Sequence, residues 1–163
     1  MKNLTQYSST AAQLLRERNA TVAVAESSTG GLISASLLAV PGASSYFLGG
    51  SIIYTLTSRK VLLGMTRMDV EGLAPLTEAM ALAFAEKARV QLGATWGVAE
   101  LGIAGPTDAP YGAAGTCVVG ITGPNTAGKL IQTASADREG NMWAFTRGAL
   151  ELLAETVSKR LER

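Results

Sequence analysis

Apolar positions change their period several times along the chain, and each change predicts an element. The N-terminus, Met1 to Arg18, reads as an amphipathic helix running from about Leu4, with Leu4, Tyr7, Ala11, Leu14, Leu15 and Arg18 on or near one stripe. Thr21-Val22-Ala23-Val24-Ala25 has the length and near-continuous apolarity of a strand buried on both faces. The polar loop Glu26-Ser27-Ser28-Thr29-Gly30-Gly31 follows, leading into a second helix that ends before Pro41. Gly49 to Tyr54 reads as another strand, and Ser58 as the N-cap of a short helix closed by Gly64. Thr77 with Glu78 opens an alanine-rich helix, Ala79 to Leu92, stopped by Gly93.

Three further strands are expected, at Thr95 to Ile103, Gly115 to Ile121 and Lys129 to Ser135. The turn residues from Thr122 to Gly128 predict that the last two form an antiparallel hairpin, and a long amphipathic helix from Arg138 to Leu161 closes the chain. Alternating helices and strands followed by a hairpin predict an α/β fold, a three-layer α/β/α sandwich with a mixed sheet. No repeat or linker divides the 163 residues, so a single domain, 1–163, is expected.

Composition narrows the chemistry. With 47% hydrophobic and 17% charged residues the chain suits a folded protein with a real core. Fourteen basic residues stand against thirteen acidic ones without any concentrated run, so no nucleic-acid partner is expected. An anionic ligand has to be gripped locally. No apolar run reaches the ~18 residues of a membrane span. The N-terminus also lacks the apolar centre and cleavage site of a signal peptide, so no membrane association and a cytoplasmic location are expected. The single cysteine, Cys117, allows neither an internal disulfide nor a multi-cysteine zinc site. The chain has no histidine, which excludes Ser-His-Asp and Cys-His mechanisms and histidine-ligated metals. Hydrolytic chemistry would need lysine, tyrosine, a carboxylate or a second hydroxyl as its base, and no metal or cofactor is expected.

Three segments carry candidate chemistry. The loop from Glu26 to Gly31 combines hydroxyls, glycines and free N–H groups at a helix start, which suits a phosphate or carboxylate; an ordinary capped turn has the same composition. Pro41-Gly42-Ala43-Ser44-Ser45 is a turn in which Ser44 is either a turn former or a nucleophile, with Tyr54 and the pair Arg59-Lys60 near enough in sequence to assist. Gly102-Ile103-Ala104-Gly105-Pro106 ends a strand, where ligands sit in α/β sheets. Arg138, after Asp137, could clamp a phosphate or pair with a neighbouring acid.

Taken together and in order, these motifs resemble the CinA C-terminal domain family, the PncC-type nicotinamide-nucleotide amidohydrolases. The resemblance runs through Thr21 to Gly31, Pro41-Gly42-Ala43-Ser44, Gly49-Gly50 with Tyr54, and Leu62-Leu63-Gly64. It continues through Thr77-Glu78, Gly102 to Pro106, Gly115-Thr116 and Asp137-Arg138. It implies an α/β/α sandwich, frequently dimeric or a higher homo-oligomer, that deamidates nicotinamide mononucleotide to nicotinate mononucleotide and ammonia without a metal. Carried over by motif, Ser44 would be the nucleophile, and Ser27 and Tyr54 would assist proton movement or orient the amide. Thr29, Gly30, Gly31, Gly105 and Arg138 would bind the phosphorylated substrate.

The chain departs from the family pattern at several positions. Where the family has lysine five residues after the tyrosine, this chain has Arg59, with Lys60 one position later; arginine cannot act as a base. Leu101 replaces a common threonine or serine, Ser28 replaces a cysteine, and the loop Thr107 to Gly112 is altered. The alternative implied by these changes is a non-catalytic or weakly active member that binds a pyridine nucleotide or related phosphorylated ligand.

Overall fold

Strand order follows from how the chain alternates between its two kinds of apolar segment. The computed structural model describes residues 3–159. Strands β1 (Val22–Glu26), β2 (Phe47–Ile52), β3 (Trp96–Ile103), β4 (Thr116–Thr122) and β5 (Ala127–Gln132) form one sheet in the order β2-β1-β3-β4-β5. β1 pairs in parallel with β2 and β3, whereas β4 runs antiparallel to β3 and β5 antiparallel to β4. The sheet is therefore mixed, and the expected hairpin is β4–β5. Helices α1 (Ser9–Glu17), α2 (Leu32–Leu38), α3 (Leu56–Leu63), α4 (Glu78–Leu92) and α5 (Arg138–Ser158) cover its faces.

Pleating divides β1 between the two helical layers, because successive side chains point to opposite faces. Val22 and Val24 pack with Leu15 of α1, Ile33 and Leu37 of α2, and Phe145, Leu150 and Leu153 of α5. Ala23 and Ala25 join Leu63 of α3 and Ala81, Phe84, Ala85 and Ala88 of α4 on the other face. This gives the three layers expected from the sequence. On the α4 side both surfaces are small: a Cβ at Gly97 would overlap the carbonyl oxygen of Ala85, and one at Gly120 would stand 2.6 Å from the Leu82 nitrogen. The alanine-rich helix thus lies almost backbone to backbone on the sheet.

Several boundaries differ from the sequence reading: β2 and β5 each begin two residues earlier than expected and end short of Tyr54 and Ser135. The N-terminal helix opens as a 3-10 turn, Leu4–Gln6, and becomes α-helical only at Ser9. Ser8 marks the break, its buried hydroxyl donating to the Ser36 carbonyl at 2.7 Å, and the expected residues Met1 and Lys2 lie outside the described residues. The N-cap of α3 is Thr55 and not Ser58: the Thr55 hydroxyl accepts the Ser58 N–H at 3.1 Å while the Ser58 hydroxyl accepts the Thr55 N–H at 2.9 Å. Ser58 fills the place that glutamate usually takes in this reciprocal cap. α5 ends at Ser158, with Lys159 already extended, and the expected residues Arg160 and Leu161 lie outside the described residues. Among the described residues no helix is long and apolar enough to cross a membrane.

Candidate active site

The parallel strands β1, β2 and β3 all point the same way, so the segments that follow them converge at one edge of the sheet, the place where α/β folds bind ligands. Ser27 follows β1, Tyr54 follows β2, and Gly102 to Thr107 form the end of β3 and its loop. These residues, with Arg59 of α3, Tyr111 and Arg138, line a cavity of about 520 Å³. A second cavity of about 400 Å³ shares Tyr54, Arg59, Gly102 and Tyr111 with it, and is otherwise walled by apolar side chains including Leu76, Met80 and Leu101. Leu101 is the residue that departs from a common hydroxyl in the family pattern, and here it supplies apolar wall.

Ser27 is held by its backbone. Its N–H donates to the Glu100 carbonyl at 3.0 Å and approaches Glu100 Oε2 at 3.1 Å. Glu100 Oε2 also accepts the Thr29 N–H at 3.0 Å, and Oε1 accepts the Ser28 hydroxyl. Glu26 is engaged as fully, by the Thr29 hydroxyl at 2.7 Å, the Ile33 and Ser34 N–H groups at 3.0 Å each, and the Ser34 hydroxyl at 2.6 Å. Both carboxyls are completely buried. Burial pushes the Glu100 carboxyl up from the usual carboxylate range; the Ser28 and Thr29 hydrogen bonds oppose that, and the charge of Glu26 adds to it.

This arrangement places Thr29, Gly30 and Gly31, expected to bind substrate, beside the cavity and not on its wall. The loop does cradle carboxylates, but they are the protein's own. Thr29 is fully buried between Glu26 and Glu100, and neither Gly30 nor Gly31 lines the cavity. The two glycines serve the turn itself, at φ +62° and +103°.

Arg138 opens α5, whose N-cap is Asp137, accepting the Gly140 N–H at 3.1 Å. The Arg138 guanidinium donates to the Gly105 carbonyl and, through Nη2, to the Tyr54 hydroxyl at 3.3 Å. Arg59 lies deeper, its Nε donating to the Ile53 carbonyl at 3.3 Å and its guanidinium 5.2 Å from the centre of the Phe84 ring. Burial lowers the Arg59 pKa while Tyr111 and Glu100 raise it, and a guanidinium so placed remains a cation. Two cations on one cavity favour an anionic ligand.

The remaining expectations concern Ser44 and Lys60, and the structure brings neither to the cavity. Ser44 is exposed in a 3-10 turn, Ala43–Ser45, that precedes β2, whereas Tyr54 follows it. The six residues of β2 separate them, roughly 20 Å at strand rise. Ser44 therefore sits at the opposite edge of the sheet, and Ser27 is the serine that lines one cavity with Tyr54, Arg59 and Arg138. Lys60 lines a different groove with Gly64, Met65, Thr66 and Arg67, because one step along a helix turns a side chain by roughly 100°.

Residues 4–157 match the family model described as the CinA C-terminal domain. The chain belongs to the CinA C-terminal domain family. It is 39% identical over 145 residues to a CinA-like protein of Salinibacter ruber, covering 88% of this chain and 35% of that protein. Over 153 residues it is 39% identical to a CinA-like protein of Synechocystis, covering 91% of this chain and 36% of the relative. The chain thus spans about a third of the length of these curated relatives. Among solved structures, the competence/damage inducible protein CihA of Agrobacterium tumefaciens superposes with a TM-score of 0.86 at 23% identity, covering 98% of each chain. A CinA superfamily protein of Klebsiella pneumoniae gives 0.85 at 21% identity, covering 96% of this chain and 99% of that one. These likenesses establish the α/β fold.

Within this CinA C-terminal domain, sequence reasoning missed Glu100 and Tyr111. Glu100 had a signal: it is the one charged residue inside the otherwise uncharged strand β3, and a carboxyl in such a strand has to find donors. Tyr111, exposed on the loop after Pro106, had none, because only the fold brings it beside Arg59.

Proposed function

We propose that this chain hydrolyses the carboxamide of nicotinamide mononucleotide, releasing ammonia and nicotinate mononucleotide, with Ser27 as nucleophile. The observation that carries the reading is that Ser27, Tyr54, Arg59 and Arg138 line one cavity in a chain of this family. The cavity and its apolar neighbour have the size of small-molecule sites. Arg138 would hold the phosphate, and Arg59 would stabilise the oxyanion that forms at the amide carbon.

Proton movement needs no ionised base in this scheme. As Ser27 Oγ attacks the amide carbon, its proton passes to the Tyr54 oxygen while the Tyr54 proton passes to the departing nitrogen, so Tyr54 ends neutral and ammonia leaves. Water then attacks the acyl ester, and the same relay returns a proton to Ser27. Arginine at position 59 is compatible with this relay, since Tyr54 and not a lysine moves the proton.

A second reading has its own observation. Arg59 occupies the position where the family pattern carries lysine, which favours a member that binds the phosphorylated nucleotide with little or no turnover. Ammonia release from nicotinamide mononucleotide, measured beside calorimetric binding, separates the two. The amidase reading expects turnover that falls about a thousandfold or more in Ser27→Ala and stays within about twofold in Ser44→Ala. Binding without ammonia release establishes the second reading, and loss of turnover in Ser44→Ala alone returns the nucleophile to Ser44.

A further inference from the structure

Beneath the Ser27 loop, two carboxyl groups compete for one hydroxyl. Glu26 and Glu100 are register partners on the adjacent parallel strands β1 and β3, and both are completely buried. The Thr29 Oγ1 atom stands 2.7 Å from Glu26 Oε2 and 3.0 Å from Glu100 Oε2. A threonine hydroxyl carries a single proton, so it can donate to only one of them. The other contact sets two lone-pair-bearing oxygens face to face unless a carboxyl supplies the missing proton. The remaining nearby donors are already committed, Ile33 N–H to Glu26 Oε2 and the N–H groups of Ser27 and Thr29 to Glu100 Oε2.

No cation neutralises the pair. Neither residue takes part in the salt bridges found among the described residues, which join Lys87 to Asp69, Arg89 to Glu86 and Arg147 to Glu151. Arg59 from α3 feels the charge of Glu100 at longer range but spends its hydrogen bond on the Ile53 carbonyl. From β4 the group that faces Glu100 is the Cys117 thiol, which burial keeps protonated. From α2, Glu26 meets only the neutral donors of Ile33 and Ser34. Two full negative charges this close, in a dry site and without a counter-ion, are strongly disfavoured.

We propose that the clasp of Glu26 and Glu100 around Thr29 holds one proton at neutral pH, on the Glu100 carboxyl, and that this clasp positions Ser27. That proton supplies the hydrogen bond that Thr29, with a single hydroxyl hydrogen, cannot give to both carboxyls. Removing it would drive the carboxyls apart and pull on the Ser27 amide that Glu100 holds. Glu100 is a positioning residue here, acting on the site through the backbone of Ser27. Gly102 makes room for it, because a Cβ there would stand 2.7 Å from Glu100 Oε1.

The pairing is tested first on the unmodified protein, by infrared detection of the carbonyl stretch of a protonated carboxylic acid at pH 7. The band is expected in the wild type and its absence would overturn the proposal, whether or not any variant folds. Glu100→Gln, whose amide supplies the missing hydrogen, should remove the band and fold. The sign for stability follows from the raised folded-state pKa of Glu100: its contribution is complete at acid pH and is lost as pH rises through that pKa. Wild-type melting temperature should therefore fall relative to Glu100→Gln as pH rises above the ordinary carboxylate range. A constant difference would refute the proton on Glu100. The positioning role rests on the amidase reading: Glu100→Gln should keep kcat within about threefold, and Glu100→Ala should lower kcat much more than it raises KM. Equal kcat in all three would reject positioning, and the infrared and melting results stand even if nicotinamide mononucleotide is not the substrate.

Discussion

Arg138 reaches the Tyr54 hydroxyl at 3.3 Å, although 84 positions separate the two in sequence. The contact ties the first turn of α5 to the segment after β2, and it closes one side of the cavity that holds Ser27. A guanidinium in that place has two tasks open to it, binding an anion and fixing the phenol that would relay the serine's proton.

If Arg138 holds phosphate, Arg138→Ala should weaken nicotinamide mononucleotide by about 10- to 100-fold, the worth of a charged hydrogen bond or two. Nicotinamide riboside, which lacks the phosphate, should lose far less. Calorimetric titration with both ligands checks this, and equal losses would reject the clamp.

Arg59→Lys places a side chain capable of giving up its proton in a half-buried position lined by the cavity. Turnover of nicotinamide mononucleotide should stay level or fall by up to about tenfold, because the relay runs through Tyr54 and an ammonium is a less well-matched donor to the oxyanion than the guanidinium. The same change removes the guanidinium from the face of Phe84 and should cost about 0.5–1 kcal/mol of stability. A higher rate with a new pH dependence would show that a lysine base at this position, and not the Tyr54 relay, limits turnover.

Gly97→Ala should destabilise the fold by about 1–3 kcal/mol, the usual cost of overfilling a packed interior. The added methyl meets the Ala85 carbonyl of α4, a backbone atom that cannot swing aside. Thermal unfolding followed by circular dichroism reads the loss, and an unshifted melting temperature would show that α4 can retreat from the sheet.

Cys117 should resist thiol reagents in the folded protein. It is completely buried, and burial pushes its thiol well up, with the charge of Glu100 adding to the shift. Labelling at pH 8 should therefore be slow and accelerate sharply with denaturant, and rapid stoichiometric labelling without denaturant would contradict the packing around β4.

Much of this architecture was legible in the chain. Thr77 and Gly93 bracket α4 as their residue types require, Gly64 closes α3, and the turn residues between β4 and β5 announce the hairpin. What escaped was whatever depends on strand direction. Ser44 and Ser27 both sit in small polar turns beside a strand, but one precedes β2 and the other follows β1, and two parallel strands carry those positions to opposite edges. The glycine loop misled for a related reason. Its hydroxyls and N–H groups suit a carboxyl, and the carboxyl they hold is that of Glu100, 71 positions beyond Thr29 and visible as a partner only once β1 and β3 lie side by side.

The turn between β4 and β5 lies at the edge of the sheet away from Ser27, where Asn125 meets the Lys159 carbonyl at 3.4 Å beyond the end of α5. A fluorophore or affinity tag grafted at Thr126 would project from that edge, about a strand length from the pocket mouth, so ligand titrations could be followed on a protein whose reporter never touches the ligand.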